Sequence, residues 1–415
     1  MKARYQYRIY PTTNQKIELA KLFGCCRVVW NDALALIKAT PEGEKWPSNA
    51  ELQKICITQA KKTDRREWLA EVSNIPLQQS IQDLGVGFKN FFDYQKGKRK
   101  GRRVGFPRFK KKLSRQSARL TRGGFKVHQH KVYLAKIGQV KIVWSRDLPD
   151  QPSSVTVIKD SAERYFLSFV VESNPEPLPK TDASVGIDLG IKTFATLNNG
   201  EKIDAPKPLK KRIKKLRQLS KSLSRKSQGS KRYQRARLKL AKFHAKLKDT
   251  RTNFLHKLST RLINENQVVV LEDLNTAGMI KNRRLSRAIS DLGWRQFRTF
   301  LEGKAEKLGR EFRVISRWEP TSQTCSVCRF RGGKLDLSIR EWECLNCGTI
   351  HDRDTNAAIN ILVAGGHPET KQNGRGGTQK TAVKAAASDE TSTRLEFKPK
   401  QLSLFDLDGW ESSRL

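Results

Sequence analysis

Four cysteines restrict what this chain can fold into more than any other feature. They stand as two C-x2-C pairs, Cys325 with Cys328 and Cys344 with Cys347, separated by 15 residues. Each C-x2-C makes a tight knuckle that presents two sulfurs, and the intervening "RFRGGKLDLSIREWE" can fold as a hairpin. Two such pairs match the tetrahedral four-thiolate zinc pattern, whereas redox chemistry would explain one pair and leave the second idle. Thiolate at all four positions leaves no open coordination position, so the predicted role is structural. A segment of about thirty residues buries little core, and zinc would supply its folding free energy. Arg329, Arg331, Lys334 and Arg340 give this segment a basic surface.

Whether the cysteines instead form disulfides depends on the compartment. No apolar run approaches membrane length, and no secretory leader is recognisable, so a cytoplasmic protein is expected. In a reducing cytosol the seven cysteines are not a disulfide framework. Cys25, Cys26 and Cys56 lie in partly apolar helical stretches and read as packing residues. Charge then narrows the partner. The chain carries 82 Lys plus Arg against 41 Asp plus Glu, a formal charge of +41 over 415 residues. A compact chain with that self-repulsion needs a polyanion, which makes nucleic acid the expected partner. A merely sticky basic protein is the bland alternative.

The length exceeds what one packed core usually serves. "ARYQYRIYP" (3–11) alternates and ends at proline, which predicts a strand. "TTNQ" then offers a capping box from Thr12 to Gln15, and Leu19, Leu22, Phe23 and Cys26 follow at helical spacing. Helical character continues intermittently to about residue 94. Residues 96–112 hold ten Lys or Arg and no acid. Such runs are often only solvated surface, but Phe106 and Phe109 among the charges favour nucleic acid, since aromatic faces stack on bases. Arg102, Arg103, Phe106, Phe109, Lys110 and Lys111 are the candidate contacts here, with Arg283 and Arg284 further on. From 124 the period becomes two, predicting antiparallel strands that could close a small barrel with the first strand. "NPEPLPKTDA" (174–183) reads as a linker. Residues 207–265 hold 21 basic and two acidic residues, and "SQGS" (227–230) interrupts narrow apolar stripes. That pattern predicts a basic helical hairpin. The tail from 366 to 415 lacks periodicity and is expected to be disordered.

Three acids stand at the ends of apolar elements. Asp188 follows a short strand in "ASVGIDLGIKTFATLNNG" (183–200). The same "GIDLG" opens the ATPase fold of sugar kinases, but no second glycine-rich phosphate loop follows. "QVVVLEDLN" (267–275) ends in Glu272 and Asp273. Neighbours on a strand point to opposite faces, so one of the two is expected beside Asp188. "HDRDTNAAINIL" (351–362) offers Asp352 and Asp354, either of which could instead cap the helix that follows. Clustered carboxylates sit badly in a polyanion-binding protein unless divalent cations neutralise them. Two Mg²⁺ ions would do so, and the chemistry they imply is phosphodiester hydrolysis.

"VGIDLGIK", "VVVLEDLN", "MIKNRRLSRAISDLGW", "TSQTCSVC", "CLNCGTIHDRDTNAAINIL" and the upstream "GFPRFKKK" together resemble TnpB, the RNA-guided nuclease of insertion sequences related to miniature type V CRISPR nucleases. The resemblance covers 184 to about 365 most specifically. It implies a mixed α/β, multidomain chain with an RNase H-like RuvC nuclease domain. Asp188, Glu272 and Asp354 fall on the family's catalytic positions, while Asp273 and Asp352 fall outside them. The implied division places the first strand of a wedge β-barrel at 1–10, a helical recognition lobe at 11–120 and the rest of the barrel at 121–180. The nuclease follows at 181–318 and 348–365, with the zinc ribbon inserted at 319–347. The implied partners are a guide RNA and double-stranded target DNA beside a short motif, with base pairing choosing the sequence. A prokaryotic, nucleoid-associated monomer serving a transposon is expected. A guided repressor without cleavage and an unguided junction nuclease are the alternatives; the complete triad speaks against the first and the excess basic surface against the second.

Overall fold

The structure, a computed structural model, describes residues 2–366 except 100, 102, 114, 334, 335 and 337. Arg102 and the tail from 367 therefore lie outside the described residues. The chain is mixed α/β and divides into two compact units, one built from Met1–Pro179 with Gln228–Asn253 and Lys307–Gly309, the other from the remainder.

In the first unit, β1 (Lys2–Tyr10) buries alternate residues Tyr5, Tyr7 and Ile9, as its period-two pattern requires. Pro11 ends it, and Thr12 caps α1 (Thr13–Ala39) in the expected capping box, its hydroxyl accepting from the Gln15 N–H while the Gln15 side chain accepts from the Thr12 N–H. α1 buries Leu19, Leu22, Phe23, Cys26, Val29, Ala33 and Ile37, one face at three- and four-residue spacing. The short α2 (Asn49–Gln53) runs into a π turn and 3-10 turns before α3 (Asn74–Gln95). Leu77, Ile81, Leu84 and Phe88 form the inner face of α3, and Ser80 Oγ donates to the Cys26 carbonyl at 2.8 Å. Cys25, Cys26 and Cys56 are buried core residues. Burial pushes the Cys26 thiol up to about 12 and the other two to about 11, so all three stay protonated and inert.

Six further strands follow: β2 (Gln116–Thr121), β3 (Phe125–Val127), β4 (Lys131–Leu134), β5 (Gly138–Val143), β6 (Ser154–Lys159) and β7 (Tyr165–Glu172). With β1 they make a seven-stranded antiparallel sheet in the order β2-β6-β7-β1-β5-β4-β3. The first strand thus lies in the middle, with Ile9 opposite both Tyr165 and Ile142. The helices of 13–95 are an insertion between β1 and strands that begin at Gln116.

The second unit is organised by a five-stranded sheet of β8 (Ser184–Asp188), β9 (Ala195–Leu197), β10 (Lys202–Ile203), β11 (Val268–Glu272) and β12 (Glu311–Ile315), in the order β10-β9-β8-β11-β12. The first three pair antiparallel, and β11 and β12 run parallel to β8. Parallel strands need long crossovers. Two helices, α4 (Pro208–Ser224) and α5 (Lys231–Glu265), occupy the connection before β11, with the expected break between them; α5 extends across the division between the units. Three helices, α6 (Thr276–Lys281), α7 (Ser286–Leu292) and α8 (Trp294–Leu308), fill the next connection. After β12 a small hairpin of β13 (Glu341–Glu343) and β14 (Ile350–Asp352) leads straight into α9 (Arg353–Ala364). α9 lies against β8 and β11, burying Ile361 and Leu362 with Val268, Val270 and Ile315. Among the described residues no helix is long and apolar enough to cross a membrane.

Candidate active site and metal centre

β8 and β11 are adjacent and parallel, with Ile187 beside Leu271, so the next residues, Asp188 and Glu272, end their strands side by side. α9 brings Asp354 to them in its first turn. Two glycines permit that approach. A Cβ on Gly186 would stand 2.2 Å from the Ala358 carbonyl oxygen, and one on Gly365 would stand 2.7 Å from Val270 Cγ1 and Cγ2. Only residues without a Cβ allow helix and sheet this close.

The result is a half-buried cluster of like charge around Asp188. Asp188 is raised to about 7, first by burial and then by the charges of Asp354 and Glu272, with Arg353 and Arg340 opposing. Burial and then Asp273 raise Glu272. Arg340 Nη1 sits 3.2 Å from Asp354 Oδ1.

The neighbouring acids have other partners. Asp273 lies past the strand end, bound by Arg317 and by Arg298 at 2.6 Å. The Arg317 hydrogen bond and then that of Arg298 hold its carboxyl below the usual range, against the effect of burial. Asp352 is the helix cap: Oδ1 accepts from the Thr355 N–H and Oγ1, both at 2.9 Å, and Lys202 Nζ lies 2.7 Å from Oδ2. Burial works against ionisation of Asp352, but the Lys202 and Thr355 bonds outweigh it and lower its pKa.

The four cysteines converge, with all four sulfurs within 4.8 Å of one another. Cys328 and Cys344 are 3.5 Å apart and Cys325 and Cys347 3.7 Å apart. Those spacings are far beyond a disulfide bond of about 2.05 Å. They approach the edge of about 3.8 Å that a tetrahedron with Zn–S bonds of about 2.3 Å requires. The buried His351 places Nε2 3.0 Å from Cys325 Sγ.

Sequence reasoning missed the link between this cluster and α9. Asn356 and Asn360 are buried polar residues on that helix. Asn356 Oδ1 accepts from the Ser326 N–H at 2.8 Å, and its Nδ2 donates to the Thr324 carbonyl at 2.8 Å. Asn360 Nδ2 donates to the carbonyls of Thr321 and Thr324 at 2.8 and 2.6 Å, while its Oδ1 accepts from Arg329 Nη1. The first knuckle is thereby fastened to the helix that bears Asp354. The signal available was a pair of amides four residues apart in the otherwise apolar "NAAINIL".

The basic run divides. Phe106 remains exposed while resting against an aromatic cluster, its ring centroid 5.1 Å from Phe88 and 5.5 Å from Phe91. Lys110 turns inward, its Nζ 3.7 Å from the centre of the Trp30 ring. Arg103, Phe109 and Lys111 are exposed, with the Lys38 ammonium over the Phe109 ring, and Arg283 and Arg284 are exposed between α6 and α7.

Comparison with known proteins follows these lines. A family described as "Probable transposase" matches residues 168–283, a "Cas12f1-like, TNB domain" matches 294–361, and a "Helix-turn-helix domain" matches 1–45. Over that last range the structure has β1 and one continuous helix, α1. A relative from Streptomyces pristinaespiralis, named as an RNA-guided DNA endonuclease, is 44% identical over 369 residues, 88% of this chain and 90% of its own. InsQ of Escherichia coli K12, similarly named, is 30% identical over 380 residues, covering 87% of this chain and 92% of its own. The solved Cas12f1–sgRNA–target DNA complex superposes with a TM-score of 0.52 at 14% identity, covering 87% of this chain and 98% of that one, a likeness of fold. These matches place the chain among proteins of transposable elements, with a segment similar to a domain of Cas12f1-like proteins. It belongs to the TnpB family.

Proposed function

We propose that this chain is a transposon-associated, RNA-guided endonuclease that hydrolyses phosphodiester bonds of double-stranded DNA beside a short motif, through a RuvC-type centre of Asp188, Glu272 and Asp354. One observation carries the reading: two adjacent parallel strands and the first turn of α9 gather Asp188, Glu272 and Asp354 from distant segments, and burial, then the charges of Asp354 and Glu272, raise Asp188 to about 7 in a chain of charge +41. The sheet order supports an RNase H-like domain, since three antiparallel strands are followed by two parallel ones and α9 packs against β8, β9 and β11. The family's named activity and the excess positive charge support guide RNA and DNA as partners.

Carboxylate oxygens are hard ligands, so the donor set fits Mg²⁺ at Asp188, Glu272 and Asp354. Divalent cations there supply charge neutralisation at the scissile phosphate and acidify the attacking water. The chain's own residues set that up. Asp188 holds its proton near neutrality and ionises when positive charge arrives. The Arg298–Asp273–Arg317 cluster anchors the backbone beside Glu272 and occupies the neighbouring acid. The sulfur spacing of Cys325, Cys328, Cys344 and Cys347 fits a structural Zn²⁺. We assign the wedge barrel to β1–β7, the recognition lobe to the helices inserted after β1, and the zinc ribbon to 319–347.

The test is plasmid cleavage and target binding by the RNA-loaded chain and its Asp188→Ala, Glu272→Ala and Asp354→Ala variants in Mg²⁺. Each variant should lose nearly all cleavage and keep binding, because ligands of one centre act as a unit. Robust cutting by Asp188→Ala would end the RuvC reading. Binding without cutting by the parent would make it a guided repressor, and purification without a discrete RNA would make it unguided.

A further inference from the structure

The first unit contains a polar cavity of about 130 Å³ that has no part in the nuclease centre. Arg4 of β1, Arg119 of β2, Asp83 of α3 and Lys110 line it, with the hydroxyls of Ser117 and Thr156. Its charge is unbalanced, three cations against one carboxylate. That carboxylate is taken, since Asp83 Oδ1 lies 2.6 Å from Arg119 Nη2.

Two donors at this cavity are left over. The Arg119 Nε–H is buried with no acceptor. The Lys110 ammonium is half-buried against the Trp30 ring and meets no acceptor among the described residues. Burial lowers its pKa, with the Asp83 carboxylate opposing. A buried donor without a partner costs about 1–3 kcal/mol, and the Arg119 Nε–H is such a donor beside a cavity that carries surplus positive charge.

Lys110 is also held in place. The Asn31 side chain accepts from the Lys110 N–H at 2.8 Å and donates to its carbonyl at 3.1 Å, while Trp30 Nε1 donates to the Arg108 carbonyl at 3.1 Å. The end of the basic run is thus fastened to α1, and its lysine is spent on the interior. A solvated charge run needs no such clamp.

We propose that this cavity receives one phosphate group, with Lys110, Arg119 and Arg4 as cationic donors and Ser117 and Thr156 as hydroxyl donors. A tetrahedral oxyanion offers acceptors to several converging donors and offsets the surplus charge. Two sources share that chemistry: free inorganic phosphate, or a backbone phosphate of a bound RNA. The second source rests on the guide-RNA reading above.

The experiment uses the full chain in two measurements, thermal unfolding in inorganic phosphate against chloride at matched ionic strength, and binding of a labelled single-stranded RNA across a salt series. A phosphate-specific rise in midpoint that Lys110→Met abolishes identifies free phosphate. An RNA salt slope that flattens by about 0.7 in Lys110→Met identifies one backbone phosphate. Arg4→Ala, an exposed change on β1, carries the same tests should Lys110→Met fail to fold. Asp83→Asn should act in the opposite direction, strengthening whichever response is seen. If folded variants match the parent in both measurements, the cavity holds only water and the proposal is overturned. Should the parent bind no RNA, the guide reading fails, and the phosphate arm still decides the cavity.

Discussion

Replacing Gly186 by alanine tests the proposed nuclease centre without touching any of its acids. The new methyl carbon would lie 2.2 Å from the Ala358 carbonyl oxygen and 2.8 Å from both the backbone nitrogen and Cβ of Leu362. Carbon-to-oxygen contacts in proteins settle at about 3.3 Å or more, so α9 must retreat from β8 by about 1 Å. Ala358 is one turn beyond Asp354, so the retreat carries that carboxylate away from Asp188. Two costs follow. Overpacking destabilises by about 1–3 kcal/mol. A 1 Å misplacement at a reacting centre costs about 100-fold in rate. Single-turnover cleavage should therefore fall by about two orders of magnitude, with a lowered unfolding midpoint and unchanged target binding. Bound zinc should stay near one ion per chain, because the knuckles are fastened to the opposite face of the helix. Parental cleavage and midpoint in Gly186→Ala would refute the argument, since helix and strand could not then be in contact there.

The pH behaviour follows from Asp188. Its folded pKa of about 7 lies above the ordinary 3.8, so the metal-free folded chain holds an extra proton between those values and loses stability as pH rises through that window. Unfolding midpoints of the zinc-loaded chain without added Mg²⁺ should fall from pH 5 to pH 8, Mg²⁺ should restore more at pH 8 than at pH 6, and Asp188→Asn should flatten both trends. Cys344→Ser removes one of four thiolates and should lose tightly bound zinc and soluble protein together; metal analysis finding no zinc in active parent protein would remove the basis for this. Asn360→Ala strips donors from the Thr321 and Thr324 carbonyls and an acceptor from Arg329. It should cost about 1–3 kcal/mol and speed zinc release to a chelator; zinc release at the parental rate would show that the amide does not brace the knuckle.

Much of this architecture is written locally. The alternation of "ARYQYRIYP", the Thr12–Gln15 capping box and the C-x2-C spacings each depend on residues within a few positions of one another, where backbone geometry alone decides the outcome. Which acid faces which partner is not local. Glu272 and Asp273 are both acids at one strand end, and only the tertiary structure shows that Arg298 and Arg317 pair with the latter. Asp352 and Asp354 are likewise alike until Lys202, 150 residues away, pairs with the former and Arg340 with the latter. Phe106 and Lys110 look alike as free surface in a run of ten basic residues, yet Phe106, still exposed, lies against an aromatic cluster and Lys110 turns over Trp30. The amides of Asn356 and Asn360 find their carbonyls only once the first knuckle has folded back onto α9. Periodicity and spacing can therefore be read from the chain, because they follow from covalent geometry. Charge pairing and burial needed the tertiary structure, because each depends on groups brought from far along the chain.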